Sequence, residues 1–183
     1  MKKNIFQSLI VALLCTTALG LNACGSDEEK DMVKPDINNR GVTENPINCQ
    51  VYQPGDTIYV CYHFEDDTEL GNYNIEIHGN FDHHSHSTES NSDEAECQDI
   101  EPERQLPDTA WVFNQSYAIP QGLRSYVAQV KIPIPKEITL PSKDNPQQLV
   151  TRNTRLGDYH FMIRLTDRAG WQQLKAVAIK VGQ

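Results

Sequence analysis

Basic residues are in short supply. The 183-residue chain holds 16 Lys and Arg against 25 Asp and Glu, for a net charge of −9. Nucleic acid and anionic lipid headgroups both require a basic patch, so neither is expected as a partner. No apolar run is long and clean enough for a stable bilayer span. Rossmann, P-loop and HExxH patterns are missing. No nucleophile elbow or paired-carboxylate motif stands out, and Ser, His and Asp are too common for coincidence to count, so the chain is not read as an enzyme. No helical period runs through the chain beyond residue 24. What is present, 38% hydrophobic and 8% aromatic residues, is too apolar for full disorder.

The N-terminus reads as an address. Lys2 and Lys3 precede an apolar run, Leu9-Ile-Val-Ala-Leu-Leu14, within a stretch reaching Leu21. That is signal-peptide anatomy over residues 1–23. Leu21-Asn22-Ala23-Cys24 resembles a bacterial lipobox, which implies cleavage before Cys24 and acylation of its sulfur and new amine. Several acyl chains anchor a protein firmly, whereas one does so marginally. Cleavage leaves 160 residues and moves the net charge from −9 to −11, enough for one domain with a real core. An ordinary secretory signal, with Cys24 a bystander, is the plainer alternative. Gly25-Ser-Asp-Glu-Glu-Lys-Asp31 resembles the acidic surface-export signal of Bacteroidetes lipoproteins; a solvated spacer would look the same. The expected location is the outer membrane, on the cell surface ahead of the periplasmic face. Residues 24–40 read as the lipidated cysteine and a flexible tether.

Residues 41–183 read as one all-β domain. Ile58, Val60, Tyr62 and Phe64 alternate with Tyr59, Cys61 and His63; Tyr73, Ile75 and Ile77 alternate with Glu76 and His78. The same period runs through Tyr126–Ile132 and Tyr159–Leu165, and Val177, Ile179 and Val181 close the chain. Period 2 with one polar face marks antiparallel strands half-buried against another sheet. Turn signals separate the runs at Pro54-Gly55-Asp56, Glu69-Leu-Gly71, Pro120-Gln-Gly122 and Asp167-Arg-Ala-Gly170. The pattern predicts an immunoglobulin/fibronectin-like antiparallel β-sandwich with strand B at 57–65, C at 72–79, E at 124–132, F at 158–166 and G at 172–181. Strands A and D must come from 36–52 and 109–119. Residues 133–157 read as the E–F connection. After strand C comes a long acidic, His-rich loop, 80–108, with eight acidic residues from Asp82 to Glu103 and no Lys or Arg in that span.

Cysteine use fits an oxidising compartment. Once Cys15 and Cys24 are accounted for, Cys49, Cys61 and Cys97 remain, and one disulfide is expected. Cys49 and Cys61 are equidistant from Gly55, so a hairpin centred there would place them opposite each other. Cys97 could instead pair with either and tie down the acidic loop; spacing leaves the connectivity open.

Histidines carry the one chemical signal. His78 ends strand C and His160 opens strand F, both with outward parity. Antiparallel C and F neighbours would set the two side by side on one face, about 5 Å apart. The loop bearing Asp82, His83, His84 and His86 leaves from that corner. These residues form the candidate metal site, and His63 falls on the other sheet. Imidazole suits zinc, copper or nickel, with zinc the first expectation. Neutral imidazole is the ligand, so binding should weaken as pH falls toward about 6. The acidic loop keeps calcium open, though EF-hand spacing is missing. A solvated, His-rich loop without metal, or a metal that merely pins the loop, is the plainer alternative.

Tyr73-Asn-Ile-Glu-Ile-His78, Phe81-Asp-His-His-Ser-His86, Trp111-Val-Phe-Asn-Gln-Ser-Tyr117, Ile132-Pro-Ile-Pro135 and Gly157-Asp-Tyr-His-Phe-Met-Ile-Arg-Leu-Thr-Asp167 with Ala169-Gly-Trp-Gln172 together resemble a Bacteroidetes lipoprotein family, domain of unknown function 4625. The resemblance spans roughly 40–181 and implies a secreted, lipid-anchored Ig-like module with no assigned activity. Two functions follow as expectations. One is a lipid-anchored envelope protein that captures or hands over a transition metal, its partner an outer-membrane metal or haem receptor. The other is a non-catalytic adhesion or assembly module that binds protein or glycan, with Trp111 or Trp171 available for sugar stacking.

Overall fold

The computed structural model describes residues 30–82, 97 and 109–182. The chain divides into two units, Met1–Asp31 and Met32–Gln183, and all strands among the described residues lie in the second. The described residues form strands and turns, with no helix among them. One sheet joins β1 (Asp36–Asn38), β3 (Thr57–Glu65) and β6 (Ser125–Pro133) in the order β1-β3-β6. A second, of five strands, contains β2 (Gln50–Tyr52), β10 (Gln172–Val181), β9 (Gly157–Asp167), β4 (Leu70–Gly79) and β5 (Phe113–Ala118), in the order β2-β10-β9-β4-β5. β7 (Glu137–Pro141) and β8 (Leu149–Asn153) pair as a separate hairpin. Pairing is antiparallel except where β2 runs parallel to β10.

Alternation in the sequence becomes burial. Ile58, Val60, Tyr62 and Phe64 of β3 and Tyr159, Phe161, Ile163 and Leu165 of β9 belong to one hydrophobic core shared by both large sheets. Tyr62 stacks on Phe161 with ring centres 6.2 Å apart, and Phe64 meets Tyr73 edge-on at 5.2 Å. Each such side chain contributes about 1.5–3 kcal/mol by leaving water. The Tyr62 hydroxyl is satisfied by donating to the Pro46 carbonyl.

The β9–β10 hairpin turns on Asp167, whose Oδ1 accepts from the amides of Gly170 (2.6 Å) and Trp171 (2.8 Å). At the start of β4 the register against β9 shifts between Leu70 and Asn72. Gly71 occupies that bulge because a Cβ there would lie 2.7 Å from the carbonyl oxygens of Thr166 and Asp167. The extra residue lets Leu70 and Tyr73, three apart, both enter the core.

Three expectations need correction. Residues 109–119 do supply a strand, β5, but not strand D: it pairs with β4 at the edge of the larger sheet. Tyr117 stacks on its register partner Tyr73 at 4.9 Å, an aromatic contact that a place beside β6 would forfeit. Residues 133–157 are not merely a connection, since they contain the β7–β8 hairpin, with Ile138 packed against the core and Thr139 and Thr151 hydroxyls 2.9 Å apart. Finally, no hairpin centred on Gly55 brings Cys49 opposite Cys61. β2 joins β10, while Cys61 sits on β3 in the other sheet and its thiol is free. The disulfide is Cys49–Cys97.

Candidate functional site

The outer face of the five-stranded sheet, opposite the core, is set by the residues that alternate with Tyr159, Phe161 and Ile163 on β9. These are Asp158, His160 and Met162. Register places His78 of β4 directly opposite His160. Their rings meet edge-on, with centres 5.6 Å apart and planes at 60°. Neither enters the core cluster. His160 is only 2% exposed, so this outward position is a buried one. His78 is less deeply set, and its Nδ1 contacts Glu76 Oε1 at 3.1 Å. A carboxylate on Nδ1 fixes the ring's orientation and leaves Nε2 as the nitrogen that could hold a metal.

The rung through this pair continues across the sheet. On the far side of His160 stands Ala178 of β10, whose side chain is a single methyl group. Beyond it, Cys49 donates its amide to the Ala178 carbonyl at 2.8 Å, and Asn48 Oδ1 accepts from the Ala178 amide at 2.9 Å. Cys97 is therefore bonded to the chain on the same rung as His78 and His160. Two rungs away, on the same face, Lys180 and Asp158 are register partners and form a buried ion pair.

β4 hands over to the acidic segment through a compact corner. The Asn80 amide donates to the Asp158 carbonyl at 2.8 Å. Phe81 packs edge-on against Tyr159 with centres 5.3 Å apart, and the Arg155 guanidinium lies 3.8 Å from its ring centre. Its ring fills a cradle that only glycines allow: a Cβ on Gly79 would lie 2.1 Å from it, and one on Gly157 3.0 Å. Asp82 follows, exposed. Thus His78 and His160 are brought together, and Asp82 lies directly after Phe81, three residues beyond the end of β4. His83, His84 and His86, like Cys24, lie outside the described residues. Trp111 is buried in the core beside Phe113 and Tyr159 and offers no sugar platform; Trp171 is partly exposed. Sequence reading missed the Lys180–Asp158 pair and the company of Met162. Parity on both sides of the Asp167–Trp171 turn would have matched 158 with 180.

A concave feature lies near the start of β3. It is a cleft of about 650 Å³ lined by Asn45, Gln50, Tyr52, Asp56, Tyr59 and Cys61, among others. Tyr59 is 59% exposed, and Lys131 lies over its ring. Burial pushes the Tyr52 phenol up to about 12, against the opposing hydrogen bond to Asn45.

The described chain is thus an all-β protein of antiparallel sheets that carries a buried polar cluster on an outer sheet face. It belongs to the family described as domain of unknown function (DUF4625), which matches residues 22–182. No curated protein and no solved structure matches it.

Proposed function

We propose that this chain is a lipid-anchored cell-envelope protein that binds a transition metal ion through His78 and His160, for capture or handover and without catalysis. The observation that carries the reading is the cross-strand pair itself. Two imidazoles bound to one ion at about 2.0–2.1 Å, at an angle between tetrahedral and linear, place their ring centres roughly 5–6 Å apart. The observed 5.6 Å falls in that range, and Glu76 holds one ring by its far nitrogen. Zinc, copper and nickel all accept such ligands.

The strand order supports the finer fold reading, an immunoglobulin-like sandwich of β1-β3-β6 against β2-β10-β9-β4, with β5 added at the edge. Tyr159 supports it further. It stands near the start of β9, and its hydroxyl donates to the Arg155 carbonyl at 2.6 Å, four residues upstream, as tyrosine corners do.

Calorimetry on metal-stripped, untagged protein tests the site, with zinc, copper and nickel titrated in turn. Micromolar or tighter binding should be lost in His78→Ala/His160→Ala. Binding that survives this change but disappears when His83, His84 and His86 all become alanine would assign the metal to the loop and refute the pair. Cys24→Ala should release the protein from membranes, and protease treatment of intact cells reads its exposure. A neighbouring gene for an outer-membrane metal or haem receptor would point to the partner.

The cleft favours a second reading, adhesion to a glycan. Its lining adds the Asp56 carboxylate to amide, hydroxyl and aromatic groups, and Tyr59 is exposed there beside Lys131. Retention on neutral polysaccharide that Tyr59→Ala abolishes would support it; no retention of the native protein would remove it.

A further inference from the structure

Met162 is out of place. It is buried, at 7% exposure, yet it does not belong to the hydrophobic core that takes in the other buried apolar side chains. Its parity on β9 puts it on the outer face, two residues from His160, and its register partner is Glu76, the residue that holds His78. His78 and Met162 are therefore diagonal neighbours on adjacent strands, roughly 7–8 Å apart and within reach of a long side chain. The face brings two imidazoles and one thioether to a single neighbourhood.

We propose that the ion held here is monovalent copper and that the Met162 sulfur is its third ligand. The proposal rests on the His78–His160 metal reading and deepens it. Thioether sulfur is a soft donor that selects Cu(I), whereas zinc gains little from it and is content with imidazole and carboxylate. Three donors of this kind satisfy a Cu(I) ion without a charged ligand. Ala178 beside His160, and Ala176 beside Met162, leave only methyl groups on the neighbouring strand. Methionine, with its flexible unbranched side chain, adapts readily to irregular surroundings. Leucine would cover the same surface equally well, so a purely packing role and a ligand role are separable.

The test uses the full chain in non-ionic detergent, with free thiols blocked by N-ethylmaleimide so that Cys61 cannot compete. Under anaerobic conditions Cu(I) is titrated from its bicinchoninate complex, and zinc is titrated separately. Met162→Leu should weaken Cu(I) binding about tenfold or more while leaving zinc within about twofold. X-ray absorption of the native Cu(I) complex should show one sulfur scatterer beside nitrogen ligands, a readout that requires no variant. Equal affinities for the native and Met162→Leu proteins, or a copper shell of nitrogen and oxygen alone, would overturn the thioether assignment and leave the histidine pair standing. If His78→Ala/His160→Ala changes neither metal, the histidine reading itself falls, and this proposal with it.

Discussion

Removing the Cys49–Cys97 disulfide should destabilise the fold by about 4 kcal/mol. The bridge spans 48 residues of sequence. Loop-closure entropy of −2.1 − 1.5R ln n for a loop of that size comes to about 4 kcal/mol at 25 °C, all of it gained by the denatured chain when the link is cut. Native contacts at Cys49 add little to this figure, because its amide bond to Ala178 is made by the backbone and serine keeps it. Urea unfolding of Cys49→Ser/Cys97→Ser against the oxidised native protein measures the difference. The variant should also show a steeper denaturant slope, since an unlinked chain exposes more surface. In a thermal scan the same loss lowers the midpoint by about 8–16 °C for a domain of this size. Reductant should reproduce the loss in the native protein and do nothing to the variant. Cys61→Ser is the control, expected to be nearly neutral because that thiol is free and only partly buried. A loss below about 1 kcal/mol would refute the reasoning, showing that the denatured chain is already restrained across the bridge or that the link strains the native state.

Gly79→Ala should destabilise by about 1–3 kcal/mol, read by chemical unfolding, because its methyl group would meet the Phe81 ring at 2.1 Å and the ring is held by Tyr159 and Arg155. Lys180→Met alone should cost about 3 kcal/mol by stranding the buried Asp158, while Lys180→Met with Asp158→Leu should recover most of that loss; a double variant no more stable than Lys180→Met, by chemical unfolding, would refute the stranded charge as the cause. Burial raises the phenol of Tyr62 far above its ordinary range, with the Glu44 charge adding to the effect, so the unfolded state loses its proton first. Stability is therefore intact below pH about 10 and falls above it by about 1.4 kcal/mol per pH unit from this residue alone, which Tyr62→Phe should remove from the alkaline limb of a pH–stability curve.

Much of the architecture was readable because period 2 is a local property. Each of β3, β4, β6, β9 and β10 announces its inner face through every second residue, and the expected spans fall within a residue or two of the observed strands. Which strands become neighbours is not local. Asn114, Ser116 and Tyr117 carry no mark that assigns them to β4 and not to β6; the choice is made by a Tyr73–Tyr117 stack and by Asn74, whose amide reaches Asn114 Oδ1 at 2.9 Å and Ser116 Oγ at 3.1 Å. The β7–β8 hairpin was hidden for a related reason, since two five-residue strands around a charged, turn-rich segment bury only alternate positions in part. The partner of Cys49 stayed open between Cys61 and Cys97 because its segment changes sheets: Asn45 pairs with Cys61 on β3, and a few residues later Gln50 pairs with Ile179 on β10. A symmetric turn around Gly55 cannot reveal that crossing.

The histidine pair shows the same division from the other side. That His78 and His160 are neighbours follows from two inferences a sequence can support, outward parity on each strand and antiparallel pairing of strands C and F of a sandwich. What parity cannot convey is burial. The outer face of the five-stranded sheet is not uniform: Asn72, Asn74 and Arg164 toward one end are exposed or half-buried, whereas Asp158, His160, Met162 and Lys180 toward the other are buried. Outward polar residues in the first group need no explanation beyond solvent. Those in the second have given up water, and a buried ion pair or imidazole persists only where specific partners compensate for it. A sheet needs none of these groups to fold, since alternating apolar residues on the inner face already bind it to its partner. Their concentration at one end, on the rungs where the Cys97 bridge and the Phe81 corner are also fixed, separates the part of the outer face where burial demands specific partners from the part that only faces water.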